Sequence, residues 1–250
     1  MTDPSILRAL VLALVLLALP LPLYAQGPTE PGWPQPMSTD PHIGYVILHQ
    51  NELRVGNGLS LYRWDGEVYY GGTINRAWFT SEGDLNARTG VLSDSEVDGY
   101  YSRAVSRYFN LQAGMRYDFG NRPGQGWAAF GIEGLAPLFF QVGIHGYVSA
   151  RGALAARIDA RYDLFITQRL VLAPELETNF YSRPDTEQNI GAGLSDIDTG
   201  LRLRYELTRQ IAPYIGIVYQ GKFGGTARLA RSDHQHPAAL LFTFGIRLWL

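Results

Sequence analysis

The sequence has 250 residues, enough for one large domain, and a formal net charge of -2, which gives nucleic acid no basic surface to hold. Charged residues make up only 18% while 15 Tyr, 11 Phe and 5 Trp are present. The absence of Cys excludes disulfides, thiolate metal sites, a Cys nucleophile and a lipoprotein anchor, and suits passage through an oxidising periplasm.

The N-terminus predicts an export signal over residues 1–25. Arg8 precedes the apolar run Ala9 to Leu19, followed by Pro20, Pro22 and Leu23-Tyr24-Ala25. The run is too short to span a bilayer, and small Ala25 suits cleavage before Gln26. Asp3 and the bulky Leu23 depart from the usual pattern, and an uncleaved anchor helix is the alternative. Residues 26–42 are rich in Pro and Gly and predict a flexible lead-in. Residues 43–250 show no convincing amphipathic helix; their dominant period is two.

Candidate strands fall at roughly 43–54, 58–65, 67–81, 95–105, 108–119, 126–136, 138–149, 153–165, 169–182, 195–207, 211–223 and 238–250. In Phe109 to Phe119 the odd positions are apolar, against Asn110, Gln112, Gly114, Arg116 and Asp118. Arg157, Asp159, Arg161 and Asp163 form a charged ladder against Ile158, Ala160 and Leu164. Leu201, Leu203 and Tyr205 oppose Arg202 and Arg204, and Leu240, Phe242 and Phe244 oppose Thr243 and Gly245. Several segments run beyond ten residues, whereas soluble strands average about five or six and a bilayer needs about nine to eleven.

Connections alternate in length. Short turns recur as Val105-Ser106-Arg107, Thr167-Gln168-Arg169 and Thr208-Arg209-Gln210, and longer loops fall near residues 83–94, 183–194 and 224–237. Long strands, alternating connections and an export signal predict an all-β, antiparallel transmembrane β-barrel of about 10–12 strands in the outer membrane, with both termini periplasmic. In such a barrel the oily face meets lipid and the charged ladder lines the lumen. Lumenal acids (Asp118, Asp159, Asp163, Glu175, Glu177, Asp196, Asp198) with arginines in comparable number predict a cross-linked, mostly filled interior. The alternative is a secreted soluble sandwich or lipocalin-like barrel.

Several residues carry candidate chemistry. Met37, His42 and His49 flank the first strand on the periplasmic side and predict either a small metal site or interfacial polar residues. Asp233-His234-Gln235-His236 sits in a long outer loop; two imidazoles spaced H-x-H chelate Cu(II) or Zn(II), and a solvated loop is the plainer reading. His145 shares parity with Tyr147 and Ser149 and should face the lumen; four residues along a strand is about 13 Å, too far for a Ser–His pair. Met115 should face lipid. Tyr108, Phe109, Trp127, Phe139, Phe140, Tyr181, Tyr214 and Trp249, near strand ends, suit interfacial girdles.

Two resemblances add to this. Thr243, Gly245, Leu248 and Leu250 resemble the C-terminal signal of outer-membrane proteins read by the barrel assembly machinery. Ordered blocks over residues 60–250 resemble the copper resistance protein B family. They include Gly71 to Gly83, Tyr101-Ser102-Arg103-Ala104, Leu111 to Asp118, Gly134-Leu135-Ala136-Pro137, Gly200 to Glu206 and Ile211-Ala212-Pro213-Tyr214. The resemblance implies a non-catalytic outer-membrane barrel that binds or handles copper ions, acting beside a periplasmic multicopper oxidase or copper-binding partner. It also implies a long Met- and His-rich segment before the barrel; here Gln26 to Gln50 holds only Met37, His42 and His49. A small passive pore or structural barrel, and an outer-membrane hydrolase, are the competing functions.

Overall fold

The computed structural model describes residues 41–233 and 235–250. The signal and lead-in expectations for residues 1–40, with Met37 and His234, lie outside the described residues. Strand segments run in chain order as β1 (Ile43–Gly56), β2 (Leu59–Gly71), β3 (Asn75–Asn86), β4 (Leu92–Ala104), β5 (Phe109–Gly120), β6 (Gln125–Ala136) and β7 (Phe140–Ser149). They continue as β8 (Leu154–Arg161), β9 (Leu164–Phe165), β10 (Leu170–Tyr181), β11 (Gly193–Tyr205), β12 (Ile211–Lys222) and β13 (Ala238–Trp249), with a short 3-10 turn (Pro137–Phe139) after β6 and an α-helix, α1 (Gly224–Ser232), between the last two strands. Each segment pairs antiparallel with its neighbours, and β13 pairs with β1, so the sheet closes on itself and has no edge.

Segments β8 and β9 are one strand of the barrel interrupted at Tyr162-Asp163, which makes the barrel twelve-stranded. Tyr162 N–H still donates to the Pro174 carbonyl (3.1 Å), but Pro174 has no N–H to return. That missing ladder bond accounts for the break.

Twelve strands agree with the period-two reading, with three corrections. The expected boundary near Gly66 does not exist. β2 runs through Asp65-Gly66-Glu67, and the turn lies after Gly71. Asp65 and Glu67 share inward parity, so a triplet that looks like turn chemistry is mid-strand lumen. β3 likewise continues past Gly83 to Asn86, whose side-chain oxygen accepts from the N–H groups of Arg88 and Thr89. The third difference is α1, a nine-residue helix in the last long loop, where no helix was expected. It is too short for a periodic signal, and it buries only Thr226, Ala227 and Ala230. The tightest connection, Asn57-Gly58, has both residues at positive φ (48° and 75°), the pair that a right-twisted two-residue hairpin requires.

The faces segregate as a membrane barrel demands. Met115 is 75% and Phe242 66% exposed on the outer wall, amid Val97, Leu111, Phe130, Ile144, Ile215 and Phe244. The most buried side chains are inside and include charged ones: Arg54 is 0% and Glu52 1% exposed.

Candidate functional site

Charged side chains crowd the lumen of the barrel. Seven arginines (54, 63, 116, 157, 161, 202 and 204) pair with eleven carboxylates. Many pairs cross the lumen rather than follow one wall. Arg157 on β8 reaches Glu82 on β3 (2.5 Å) and Glu96 on β4 (2.5 Å). Arg161 bridges Glu175 (2.6 Å) and Asp65 (2.6 Å), and Arg54 reaches Asp198 (2.7 Å). Gln50 joins the groups, donating to Glu175 (2.9 Å) and accepting from Arg54 (3.0 Å) and Arg63 (3.2 Å). Beside these charges Trp78, Tyr100, Trp127, Ala129 and Tyr147 form an apolar cluster inside the barrel, reaching from the short-turn half at Trp78 to the long-loop end at Trp127.

Carboxylates outnumber arginines here, contrary to the expectation of parity. Five more inward acids (Glu67, Asp98, Glu133, Asp159 and Asp196) have no arginine at ion-pair distance among the described residues. Four of them take hydrogen bonds from neutral partners, and Asp159 lies 3.9 Å from the His145 ring. Tyr45 donates to Glu67 (2.8 Å), Gln112 to Glu133 (2.7 Å), Thr80 and Tyr100 to Asp98, and Asn179 to Asp196 (2.8 Å). The imbalance favours cations.

Two cavities flank the ion-pair layer. One, of about 350 Å³, opens at the short-turn end and is lined by Tyr45, His49, Glu67, Glu133, Arg204 and Arg247 among others. The other, of about 300 Å³, lies at the long-loop end between Trp127, Tyr181, Arg151 and Arg183. In outer-membrane barrels the short turns face the periplasm, so the first cavity is a periplasmic vestibule.

His49 owes its place in that vestibule to a β-bulge. The register between β1 and β2 slips between Leu48 and Gln50, leaving His49 as the extra residue. Both His49 and Gln50 therefore point inward, and parity switches from Tyr45 and Ile47 to Glu52 and Arg54. His49 Nε2 lies 3.3 Å from Glu67 Oε1, and its side chain is 16% exposed.

The remaining candidates are scattered. His42 is exposed, with its ring 5.9 Å from that of Tyr70 on the outer wall. Seven residues of extended chain, about 23 Å, separate it from His49. His236 is exposed in the loop after α1, at the opposite end of the barrel. Among the described residues no group of three or more His, Asp or Glu side chains is arranged to hold a metal ion. His145 faces the lumen, its Nε2 2.8 Å from Gln112 Oε1 and its Nδ1 3.9 Å from Asp159. Ser149 instead accepts from the Ala153 N–H (3.0 Å).

Three aromatics assigned to girdles are inside: Trp127 is 6% and Tyr214 5% exposed, and Tyr181 packs against the lumenal cluster. Trp127 donates to Asp118 (2.7 Å). Their parity with Ala129, Val218 and Asn179 carries the signal that their nearness to strand ends obscured.

Comparison with known proteins agrees with the architecture. Among solved structures, the NanC porin aligns with TM-score 0.53 at 16% identity, over 82% of this chain and 99% of that one. The KdgM porin in complex with disordered oligogalacturonate aligns with TM-score 0.50 at 11% identity, over 82% of this chain and 98% of that one. At such identities the likeness speaks for the fold alone. Copper resistance protein B of Escherichia coli is 36% identical over 84% of this chain and 71% of its own length. A copper resistance protein B homolog of Pseudomonas syringae pv. tomato is 38% identical over 82% of this chain and 69% of its own. The family model described as copper resistance protein B precursor (CopB) matches residues 42–250, the whole barrel. This outer-membrane barrel therefore belongs to the copper resistance protein B family.

Proposed function

We propose that the barrel handles copper as cargo at the cell envelope, engaging Cu(II) in its periplasmic vestibule. The observation that carries the reading is the surplus of inward carboxylates over inward arginines, with two unmatched acids, Glu67 and Glu133, sharing a cavity with His49. Imidazole and carboxylate suit Cu(II), whereas Cu(I) prefers sulfur. The barrel offers no sulfur inward: Met115 is 75% exposed on the outer wall and the chain has no Cys. With fewer than three prearranged ligands, the vestibule suits a transient cargo that must leave again rather than a resident metal. An opening toward the periplasm also suits exchange with a periplasmic copper oxidase or copper-binding protein.

A second reading, a structural or passive barrel, draws on the ion-pair layer, which fills the space between the two cavities. Copper tolerance separates the two. A strain lacking the protein regains growth on copper when given the wild-type chain. Under the copper reading, the combined His49→Ala, Glu67→Gln and Glu133→Gln variant reaches the outer membrane but does not restore growth. Full restoration by that variant favours the passive barrel.

A further inference from the structure

The three recurring short turns are only half explained by folding. Their Ser or Thr hydroxyl builds the turn. Ser106 Oγ accepts from the N–H groups of Tyr108 and Phe109, Thr167 Oγ1 from Arg169 and Leu170, and Thr208 Oγ1 from Gln210 and Ile211. The arginine in each turn takes no part. Arg107, Arg169 and Arg209 are exposed, and their side chains make no hydrogen bond or ion pair among the described residues.

Arg103 joins them. On β4 it shares parity with Val97 and Tyr101 on the outer wall, where a charge meets lipid, and it too is exposed and unpartnered. Its sheet neighbours are Asn75 and Leu111, neither of which carries a charge. Glu206 is the acid nearest in sequence to Arg209, and it turns inward onto Arg204 (3.5 Å). At the opposite end, by contrast, Arg122 and Arg183 are used to tie loops together, through Asp94 and the Gln188 and Arg151 carbonyls.

The free arginines are interleaved with exposed apolar side chains: Val105 and Tyr108 beside Arg107, Phe165 and Ile166 before Arg169, and Leu207 before Arg209. An apolar residue in hydrocarbon beside a cation at the rim is the arrangement that meets a layer of phosphates. Arg169 and Arg209 also lie on one arc, because the Arg169 carbonyl accepts from the Glu206 N–H (2.8 Å).

We propose that Arg103, Arg107, Arg169 and Arg209 form a headgroup-binding rim for anionic phospholipid of the periplasmic leaflet. Guanidinium matches phosphate geometry, and the neutral turn hydroxyls leave the positive charge uncompensated for a ligand.

The test is titration of the full refolded chain in detergent with phosphatidylglycerol or phosphatidylcholine, read by native mass spectrometry. Wild type is expected to hold phosphatidylglycerol more tightly by on the order of tenfold or more. Joint replacement of the four arginines by Gln should abolish the preference while phosphatidylcholine binding persists. Replacement by Lys should keep most of it, which guards against a folding defect. A preference retained by the Gln variant overturns the proposal. So does an equal loss on replacing Arg88, Arg228 and Arg231 at the other end. No preference in the wild type also overturns it and points the rim toward an acidic protein.

Discussion

Glu52 tests the claim that the lumen is a packed ionic core. Its Oε1 accepts from Arg54 Nε (2.7 Å) and Arg202 Nη2 (2.8 Å), and its Oε2 from Arg202 Nε (2.9 Å). It is 1% exposed, so one carboxylate holds two buried guanidinium groups with no help from water. The Glu52→Gln variant keeps the volume but removes the charge and turns an amide N–H₂ toward a cation. Breaking a buried pair by removing one partner costs about 3–5 kcal/mol. Arg54 keeps Asp198 and Arg202 keeps Glu175 (2.5 Å), so we predict a loss near the lower end, about 3 kcal/mol. The assay is urea unfolding of the barrel in lipid vesicles by tryptophan fluorescence, with a shifted midpoint and an unchanged slope. The comparison is Glu187→Gln: its pairing with Arg151 (3.5 Å) leaves both side chains more than 60% exposed and should contribute no more than about 1 kcal/mol. If Glu52→Gln and Glu187→Gln prove equally mild, the lumen is hydrated and the reasoning fails.

Three more predictions follow from particular contacts. A methyl added at Gly131 would collide with the His145 ring, so we predict that Gly131→Ala destabilises the barrel by about 1–3 kcal/mol in the same assay. Thr226 Oγ1 accepts from the Gly191 N–H (2.9 Å) and meets Ser195 Oγ (3.0 Å), fastening α1 to the neighbouring loop. Thr226→Val should expose that loop to protease without moving the unfolding midpoint by more than about 1 kcal/mol. In planar bilayers the wild-type barrel should pass little current, and replacing both Arg54 and Arg157 by Ala should open measurable conductance. Equal current through both proteins would contradict a lumen closed by its ion pairs.

The chain's period was legible where bulges are absent. β5, β10 and β13 follow the expected alternation, and Met115 and His145 lie on the sides that parity assigned. The first strands were the hardest, for physical reasons. The bulge at His49 swaps faces mid-strand, and Asp65-Gly66-Glu67 has turn composition inside a strand. Those two features hid Glu52, Asp65 and Glu67, and Glu82 fell beyond the expected end of its strand at residue 81; together with Glu96 and Asp98 on β4 they remove the apparent charge balance of the lumen. The vestibule was illegible for the same reason, since it brings together His49, Glu67 and Glu133 from three strands. No local spacing records that meeting. Family membership, by contrast, was readable from ordered blocks that need no register at all.

The most direct test of copper handling is calorimetric titration of the full refolded chain with Cu(II) and, separately, Cu(I). The account predicts Cu(II) binding at roughly micromolar affinity. It should weaken at least about tenfold in the His49→Ala, Glu67→Gln variant, and Cu(I) should bind more weakly than Cu(II). Binding that survives that variant but is lost on replacing His234 and His236 would contradict the vestibule, and no binding of either ion would contradict a direct role for the barrel in holding copper.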